Sequence, residues 1–432
     1  MVMTQGSFVR RRPREFDGTS SAELAVFAAT EELLRDTSLQ KLTVAQILRA
    51  AGLSRANFYH YFANKYDVLV ALLGRVFDDS YGQDAPWSTT PGKARAQRMG
   101  TSLESTLEMW SAHGAVICSV IEHMHSEPAV AAAWQRMYAR FVDAITEQVV
   151  YERDSGQAPT GSPPDMIATM LVGAAERVFY VSSRGLDPRL ATVDDVVAPL
   201  RAVNEAAIFG GRHEAVSDKG SSAATDLERS PMPEITAPVV EGETATAILQ
   251  AMRELLVEES LADVSVAKIL EKSGISRASF YFYFRSKEDA FVVLFREAAA
   301  DIVAGLRGLA DIDRDEPERL LAQVGEWLNL EGFAGPVIRN AVHAWPRLPE
   351  LRAEYLAAMN AMETTLESII DSDRAAGLAP AGPPVPAYAA VILWTIERAV
   401  AGALAGEEHL ADLAAVTEMV GRFLYAAVYG RR

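Results

Sequence analysis

The chain is written twice. Residues 42–77 read LTVAQILRAAGLSRANFYHYFANKYDVLVALLGRVF and residues 264–299 read VSVAKILEKSGISRASFYFYFRSKEDAFVVLFREAA, aligned without gaps at an offset of 222. Val44/Val266, Ile47/Ile269, Gly52/Gly274, Ser54/Ser276, Arg55/Arg277, Phe58/Phe280, Tyr59/Tyr281 and Lys65/Lys287 are among the identical pairs. The likeness continues more weakly. GAVI at 114–117 answers GPVI at 335–338, Glu176-Arg177 answers Glu397-Arg398, and AAIFGGR at 206–212 answers AAVYGRR at 426–432. Self-similarity over this length means two complete copies of one unit of about 190 residues. The stretch between them, 211–241, is small, polar and Pro-bearing, and reads as a flexible or extended connector. Thirty such residues reach roughly 30 Å on average, enough for the copies to pack on each other.

Composition narrows the classes. Of 432 residues 49% are hydrophobic and 23% charged, which places the chain among globular proteins. A net charge of −17 argues against a protein that coats polyanions indiscriminately, but not against a basic contact face on an acidic body. Cys118 is the single cysteine, so no intrachain disulfide and no multi-cysteine zinc site can form. No run of 18 apolar residues occurs and the basic N-terminus lacks an apolar region behind it, so neither a membrane span nor a secretory signal is expected. The expected compartment is the cytoplasm. His123 and His125 are two apart and would point about 200° from each other on a helix, so they do not make a metal-ligand pair. There is no G-x-S-x-G elbow and no phosphate-binding Gly-rich loop. Neither catalysis nor a cofactor nor a metal is expected.

Helix is the dominant secondary-structure signal, with no alternating strand runs. Ser20 with Glu23 makes a capping-box pattern, as does Thr43 with Gln46. Val44, Ile47 and Leu48 give the next helix its buried face, Gly52 supplies the sharp turn, and Ser54 caps SRANFYHYF. Phe58 and Phe62 are four apart and face inward, while Arg55, Asn57, Tyr59, His60 and Tyr61 project elsewhere. Four consecutive bulky side chains cannot all face one core. Copy two repeats the scheme with Ser265, Gly274, Ser276, Phe280 and Phe284. Helix, tight turn and short helix with Arg and small polar residues at its start suit a recognition helix in a major groove.

With these residues in view, each copy resembles a member of the TetR family of transcriptional regulators, and the chain as a whole resembles the tandem form. The downstream pattern, with GAVI, W-x-x-M-Y, the Glu-Arg pair and a terminal aromatic-Gly, is similar to the ethionamide-resistance-repressor subgroup. The resemblance implies an all-α fold: in each copy a three-helix helix-turn-helix domain and a helical ligand and dimerisation domain, packed as an intrachain pseudo-dimer. The expected organisation is a basic arm over 1–18, DNA-binding domains over 19–75 and 242–297, effector domains over 76–210 and 298–432, and the linker between. The last two helices of each copy, about 166–184 and 193–209, and about 386–404 and 410–429, would form the dimer-like interface.

Residue by residue, the resemblance implies that Thr43, Tyr59, Tyr61 and Lys65 touch phosphates, with Ser54 capping the helix and Arg55, Ala56 and Asn57 nearest the bases. In copy two the set is Ser265, Tyr281, Tyr283 and Lys287 for phosphates, with Ser276, Arg277, Ala278 and Ser279 following. His60 and Phe282 occupy one equivalent position and differ, as do Asn57 and Ser279. Residues 1–212 carry a net charge of −3 and residues 213–432 a net charge of −14, and the arm with Arg10, Arg11, Arg12 and Arg14 precedes only the first copy. Such an arm is either a minor-groove and phosphate contact or a solvated tail. The operator is therefore expected to be asymmetric double-stranded DNA. The alternative is a ligand-binding scaffold with only the first DNA-binding domain active, working as a dimer of tandem chains. Candidates for lining an effector pocket are Trp110, Met124, Trp134, Met137, Phe141, Glu176, Phe179 and Tyr180 in copy one, and Trp327, Trp345, Tyr355, Met359, Trp394 and Glu397 in copy two. Glu176-Arg177 and Glu397-Arg398, inside apolar helices, are either structural ion pairs or polar anchors for a ligand. The resemblance favours a small apolar effector, acyl or lipid-like, with release from DNA on binding. It implies no membrane partner, and either a monomeric pseudo-dimer or a homodimer.

Overall fold

Local capping decides where the helices begin. The computed structural model describes residues 20–82, 85–210, 242–312, 317–330 and 334–430. The arm with Arg10, Arg11, Arg12 and Arg14, and the join over 211–241, lie outside the described residues. All regular structure among the described residues is helical. Ser20 and Glu23 form a reciprocal capping box at the start of α1 (Ser21–Asp36), and Thr43 and Gln46 do the same for α2 (Val44–Ala51). Gly52 ends α2 with φ 66°, a left-handed conformation that a side chain would disfavour. Copy two follows with Ser265 capping α10 (Val266–Ser273) and Gly274 at φ 69°.

The chain forms two compact units, one up to Ala144 and one from Ile145 on. The division falls inside a helix of copy one and not at the join between the copies. The first unit holds α1, α2, α3 (Arg55–Tyr61), α4 (Lys65–Tyr81), α5 (Lys93–His123) and most of α6 (Pro128–Asp154). Its small domain is built on Ile47, Phe58 and Phe62, with Phe27 meeting Phe62 edge-on at 5.8 Å. Full burial of each such side chain contributes about 1.5–3 kcal/mol. His113 on α5 bonds Glu31 on α1, which ties the small domain to the long helix.

The second unit holds α7 (Pro164–Ser183) and α8 (Val197–Phe209) of copy one and the whole described part of copy two. Copy two opens with α9 (Glu243–Glu258), α10, α11 (Arg277–Tyr283) and α12 (Lys287–Arg307). Where copy one runs one helix, α5, copy two has α13 (Pro317–Trp327) and α14 (Ala334–Ala344). Pro336 stands where copy one has Ala115, and a proline is tolerated in the first turn of a helix but not in its middle. The remaining helices are α15 (Pro349–Ala375), α16 (Val385–Ala405) and α17 (Leu413–Tyr429). By length and composition α16 could cross a membrane, but 83% of its apolar window is buried inside the protein, as befits a core helix.

The seam between the copies is α7 laid along α16, flanked by α8 and α17. Two ion pairs cross it reciprocally: Arg177 to Glu397 at 2.9 Å and Arg398 to Glu176 at 3.6 Å, with all four side chains nearly buried. The Arg177 Nε and Glu397 Oε2 atoms are poorly aligned for a hydrogen bond, so charge rather than direction carries that pair. Arg398 also meets Glu407 at 3.0 Å. A second crossing lies at Arg189 of copy one. Its guanidinium bonds Glu367, Asn360, Thr364 and, at 3.0 Å, Glu363, all on α15. Asp187 beside it accepts from the Trp394 indole at 3.2 Å. Burial first, then the charge of Asp187, holds the Glu363 carboxyl well above the usual range, against the pull of Arg189.

Removing one member of a buried pair leaves an uncompensated charge. Arg177→Met is expected to cost about 3–5 kcal/mol in urea denaturation of the chain. Adding Glu397→Gln, which keeps an acceptor for Tyr355 and removes the charge, should recover roughly half of that or more. Glu363 makes a pH prediction. Its folded-state pKa is raised, so its contribution is fully present below the ordinary value of 4.5 and is lost as pH rises above it. Glu363→Gln should flatten that fall, seen as a smaller change in melting temperature between about pH 5 and about pH 8.

Candidate nucleic-acid interface and ligand chamber

The two short helices α3 and α11 present matching outer faces. Ser54 Oγ accepts from Asn57 N at 3.3 Å, and Ser276 Oγ accepts from Ser279 N at 3.1 Å. Phe58 and Phe280 are fully buried and anchor each helix. The residues that the sequence pointed outward are exposed or half-buried. Arg55, Ala56, Asn57, Tyr59 and His60 are exposed and Tyr61 is half-buried. In copy two Arg277, Ala278, Tyr281, Phe282 and Tyr283 are exposed and Ser279 is half-buried, its hydroxyl 2.8 Å from that of Ser276. Thr43 and Ser265 are exposed at the caps of α2 and α10. Phe282 is 81% exposed, its ring edge-on to that of Tyr283 at 5.0 Å, where copy one has the polar His60.

The lysines behave differently. Lys65 Nζ donates to the carbonyls of Leu39, Gln40 and Leu42 at 2.6, 3.1 and 3.0 Å. Lys287 Nζ does the same to Leu261, Ala262 and Val264 at 2.7, 3.2 and 2.6 Å. An ammonium has three protons, so each is fully engaged in closing the turn before α2 or α10. Burial lowers the Lys65 pKa, with the charge of Glu127 acting against it. The resemblance implied phosphate contacts for these lysines, whereas their geometry makes them staples of the turn.

Charge distinguishes the two faces further. At the offset of 222, exposed Lys41 and Arg49 of copy one become Asp263 and Glu271. Lys268 and Lys272 on α10 are paired with Glu259 at 2.7 Å and Glu254 at 3.0 Å. The bonds from Lys272 and Gln250, with the Lys272 charge, hold the Glu254 carboxyl below its usual value.

Copy two contains an apolar chamber of about 80 Å³, walled by α12, the end of α13 and the loop after it, α14, α15 and α16. Four of the six candidates in that copy line it: Trp327, Tyr355, Met359 and Glu397. Trp345 and Trp394 stand behind it. Trp345 stacks on Tyr355 at 5.0 Å, and Trp394 lies 6.0 Å from Trp345. The Tyr355 hydroxyl donates to Glu397 at 2.6 Å, and burial with the Glu397 charge pushes its pKa well up. The indole N–H of Trp327 is buried and has no hydrogen-bond partner among the described residues. Phe295, Ile338, Val342, Met362 and Ile396 also line the chamber and were not singled out from the sequence. Met362 could have been, because it lies one helical turn from Met359. Phe295, Ile338 and Val342 carry no such signal, because they are ordinary apolar residues brought in by tertiary packing.

The copy-one candidates divide between the two units. Trp134 and Phe141 belong to an aromatic cluster in the first unit with Phe77, Tyr81 and Trp87, ring centroids 5.0–6.2 Å apart. Burial pushes the Tyr81 hydroxyl up to about 12. Trp110 is buried on α5, and Met124 and Met137 are half-buried. Glu176, Phe179 and Tyr180 lie in the second unit on α7, with Tyr180 6.1 Å from Trp345 and Glu176 paired with Arg398.

The family model described as bacterial regulatory proteins, tetR family, matches residues 26–72 and again 248–293. The model described as transcriptional regulator EthR, C-terminal domain, matches residues 99–210. The HTH-type transcriptional regulator EthR of Mycobacterium tuberculosis is 29% identical over 186 residues, which is 43% of this chain and 86% of that protein. The protein of the same name from Mycolicibacterium smegmatis is 28% identical over 190 residues, 44% of this chain and 86% of that protein. A crystal structure of regulatory protein TetR from Rhodobacter sphaeroides aligns with 41% of this chain and 97% of that one, at 22% identity and a TM-score of 0.30.

The staple role of Lys65 is directly testable. Lys65→Met leaves three carbonyls without their donor and should cost about 1–3 kcal/mol of stability in a denaturant titration. In nucleic-acid binding it should leave the slope of log affinity against log salt unchanged, whereas a lysine that contacts phosphate would lower that slope by about one.

Proposed function

We propose that the chain is a transcriptional regulator of the TetR family that reads an asymmetric DNA operator with two unlike recognition helices and is released by a small apolar ligand. The observation that carries this reading is the pair of exposed faces on α3 and α11, each built on one buried Phe and one capping Ser. Arg55 and Arg277 have the reach and the fork geometry to pair with guanine. Ala56, Asn57, Ala278 and Ser279 stand beside them for base edges. The hydroxyls of Thr43, Tyr59, Tyr61, Ser265, Tyr281 and Tyr283 suit phosphate oxygens. His60 can donate to a base or phosphate, whereas Phe282 suits a thymine methyl group. The exchange of Lys41 and Arg49 for Asp263 and Glu271 supports unequal electrostatic shares.

The ligand reading rests on the chamber in copy two. Its walls are apolar, two flexible methionines line it, and the unpartnered Trp327 N–H offers a donor to a ligand acceptor such as an ester or amide carbonyl. At about 80 Å³ the chamber is smaller than the roughly 300–1,000 Å³ usual for small-molecule sites, so a ligand must push the walls apart. Ile338 and Val342 on α14 are part of those walls. Between them Asn340 accepts from Leu261 N at 2.7 Å, at the turn that Lys287 also holds. Displacing α14 therefore displaces the second DNA-binding domain. A ligand that binds the widened form better depopulates the form that fits DNA. In this reading one chain supplies both recognition helices, acts in the cytoplasm and needs no partner subunit.

A second reading, in which copy two contributes only ligand binding, is favoured by the acidic residues around α10. Footprinting on operators found by genome-wide binding-site mapping separates the two readings. The expected result is two unlike half-sites. Arg55→Ala should reduce affinity more than Arg277→Ala, each by about 1–3 kcal/mol, and the variants should differ in salt slope. Equal losses with equal slopes on palindromic half-sites would remove the asymmetry. Protection of a single half-site would favour the second reading. For the ligand, Met359→Trp should fill the chamber and leave the regulator bound to its operator at ligand concentrations that release the unmodified chain.

A further inference from the structure

The seam between the copies contains a second cavity, of about 380 Å³, that shares no lining residue with the chamber of copy two. We infer that this seam cavity is a binding site for an amphipathic organic anion, an apolar chain ending in a carboxylate. Its volume lies in the roughly 300–1,000 Å³ range of small-molecule sites. Its apolar lining comes from both copies: Ile167 and Met170 on α7, Leu321 on α13, and Met419 and Phe423 on α17.

The charged lining points to the head group. Arg153, in the last turn of α6, donates one hydrogen bond to the Ser162 carbonyl at 2.8 Å, and its Nε is buried without a partner. No carboxylate pairs with it among the described residues, and burial alone lowers its pKa. Arg422 adds a second guanidinium, shared with Glu418 at 2.6 Å and half-exposed. Glu318 also reaches the lining but is exposed to solvent. A guanidinium without a counter-ion beside an apolar cavity is an arrangement that a carboxylate completes.

Copy two shows why the cavity is one-sided. Helices α7 and α16 begin 221 positions apart, which sets Arg374 opposite Arg153 and Tyr388 opposite Ile167. Arg374 bonds the Pro383 carbonyl at 2.9 Å, as Arg153 bonds that of Ser162. But the Arg374 guanidinium lies over the Tyr388 ring at 5.9 Å, and the Tyr388 hydroxyl donates to the Ala427 carbonyl at 2.8 Å. The tyrosine fills the space and covers the arginine. Ile167 does neither, so the charge and the space remain on the copy-one side.

The test is calorimetric titration of the full chain with sodium decanoate below its micellar concentration, with decanol as the uncharged control. Decanoate is expected to bind one per chain, and decanol about tenfold or more weakly. Ile167→Tyr, which installs the copy-two arrangement, should weaken decanoate about tenfold or more. Arg422→Gln, a surface change that decides the matter if Ile167→Tyr fails to fold by thermal melting, should weaken it severalfold. Met359→Trp, which fills the other chamber, should leave decanoate affinity unchanged. Absence of decanoate binding, equal binding of decanol, or loss of binding in Met359→Trp with retention in Ile167→Tyr overturns the assignment. No DNA is involved, so failure of the operator reading and failure of this one are distinguishable.

Discussion

Everything in the second unit is organised around charges that cross from one copy to the other. Four nearly buried ions, Glu176, Arg177, Glu397 and Arg398, sit where α7 and α16 run along each other. Each would be costly alone in that setting. They are tolerated in large part because each copy supplies a counter-ion to the other, Arg398 having Glu407 of its own copy as well. The same pairs reach the ligand chamber, because Glu397 takes the Tyr355 hydroxyl and Arg177 lies over the Trp345 ring at 5.6 Å. Chamber, core and seam thus share one electrostatic element.

The two copies have used their shared plan for different ends. Copy one keeps an unbroken α5, an aromatic cluster and an exposed surface with Lys41 and Arg49. Copy two breaks the corresponding helix ahead of Pro336, walls a chamber and carries acids on the equivalent surface. In a symmetric dimer of identical chains, each of these changes would appear on both sides. Fusion lets one half change without the other.

Much of this was legible in the sequence. The capping residues, Gly52 and Gly274 at the turns, and the inward Phe58 and Phe280 follow from period and local chemistry, and so does the outward set on the recognition helices. The all-helical tandem architecture follows from the repeat. Lys65 and Lys287 were visible as fixed points of the motif. Their three carbonyl partners were not, because those come from a turn more than twenty residues away. The Glu-Arg pairs were recognisable as ions in need of partners, but pairing across the copies is a tertiary fact. The chamber was half legible: aromatic and Met residues drew attention, whereas Trp345 and Trp394 proved to stand behind its walls.

The Arg189 crossing has a consequence for assembly in a crowded cell. The Glu-Arg pairs are the same in both copies, so on charge alone α7 could match α7 of another molecule as well as it matches α16. Arg189 breaks that degeneracy. Its carboxylate partners are Glu363 and Glu367, and the corresponding positions of copy one hold Val142 and Thr146. Leu410, the counterpart of Arg189 in copy two, has no charge to offer. A first half facing another first half would leave Arg189 only Asp187, at 3.7 Å in its own copy, and a second half facing another second half would leave Glu363 and Glu367 without that cation. The crossing therefore works as an address that favours the meeting of unlike halves.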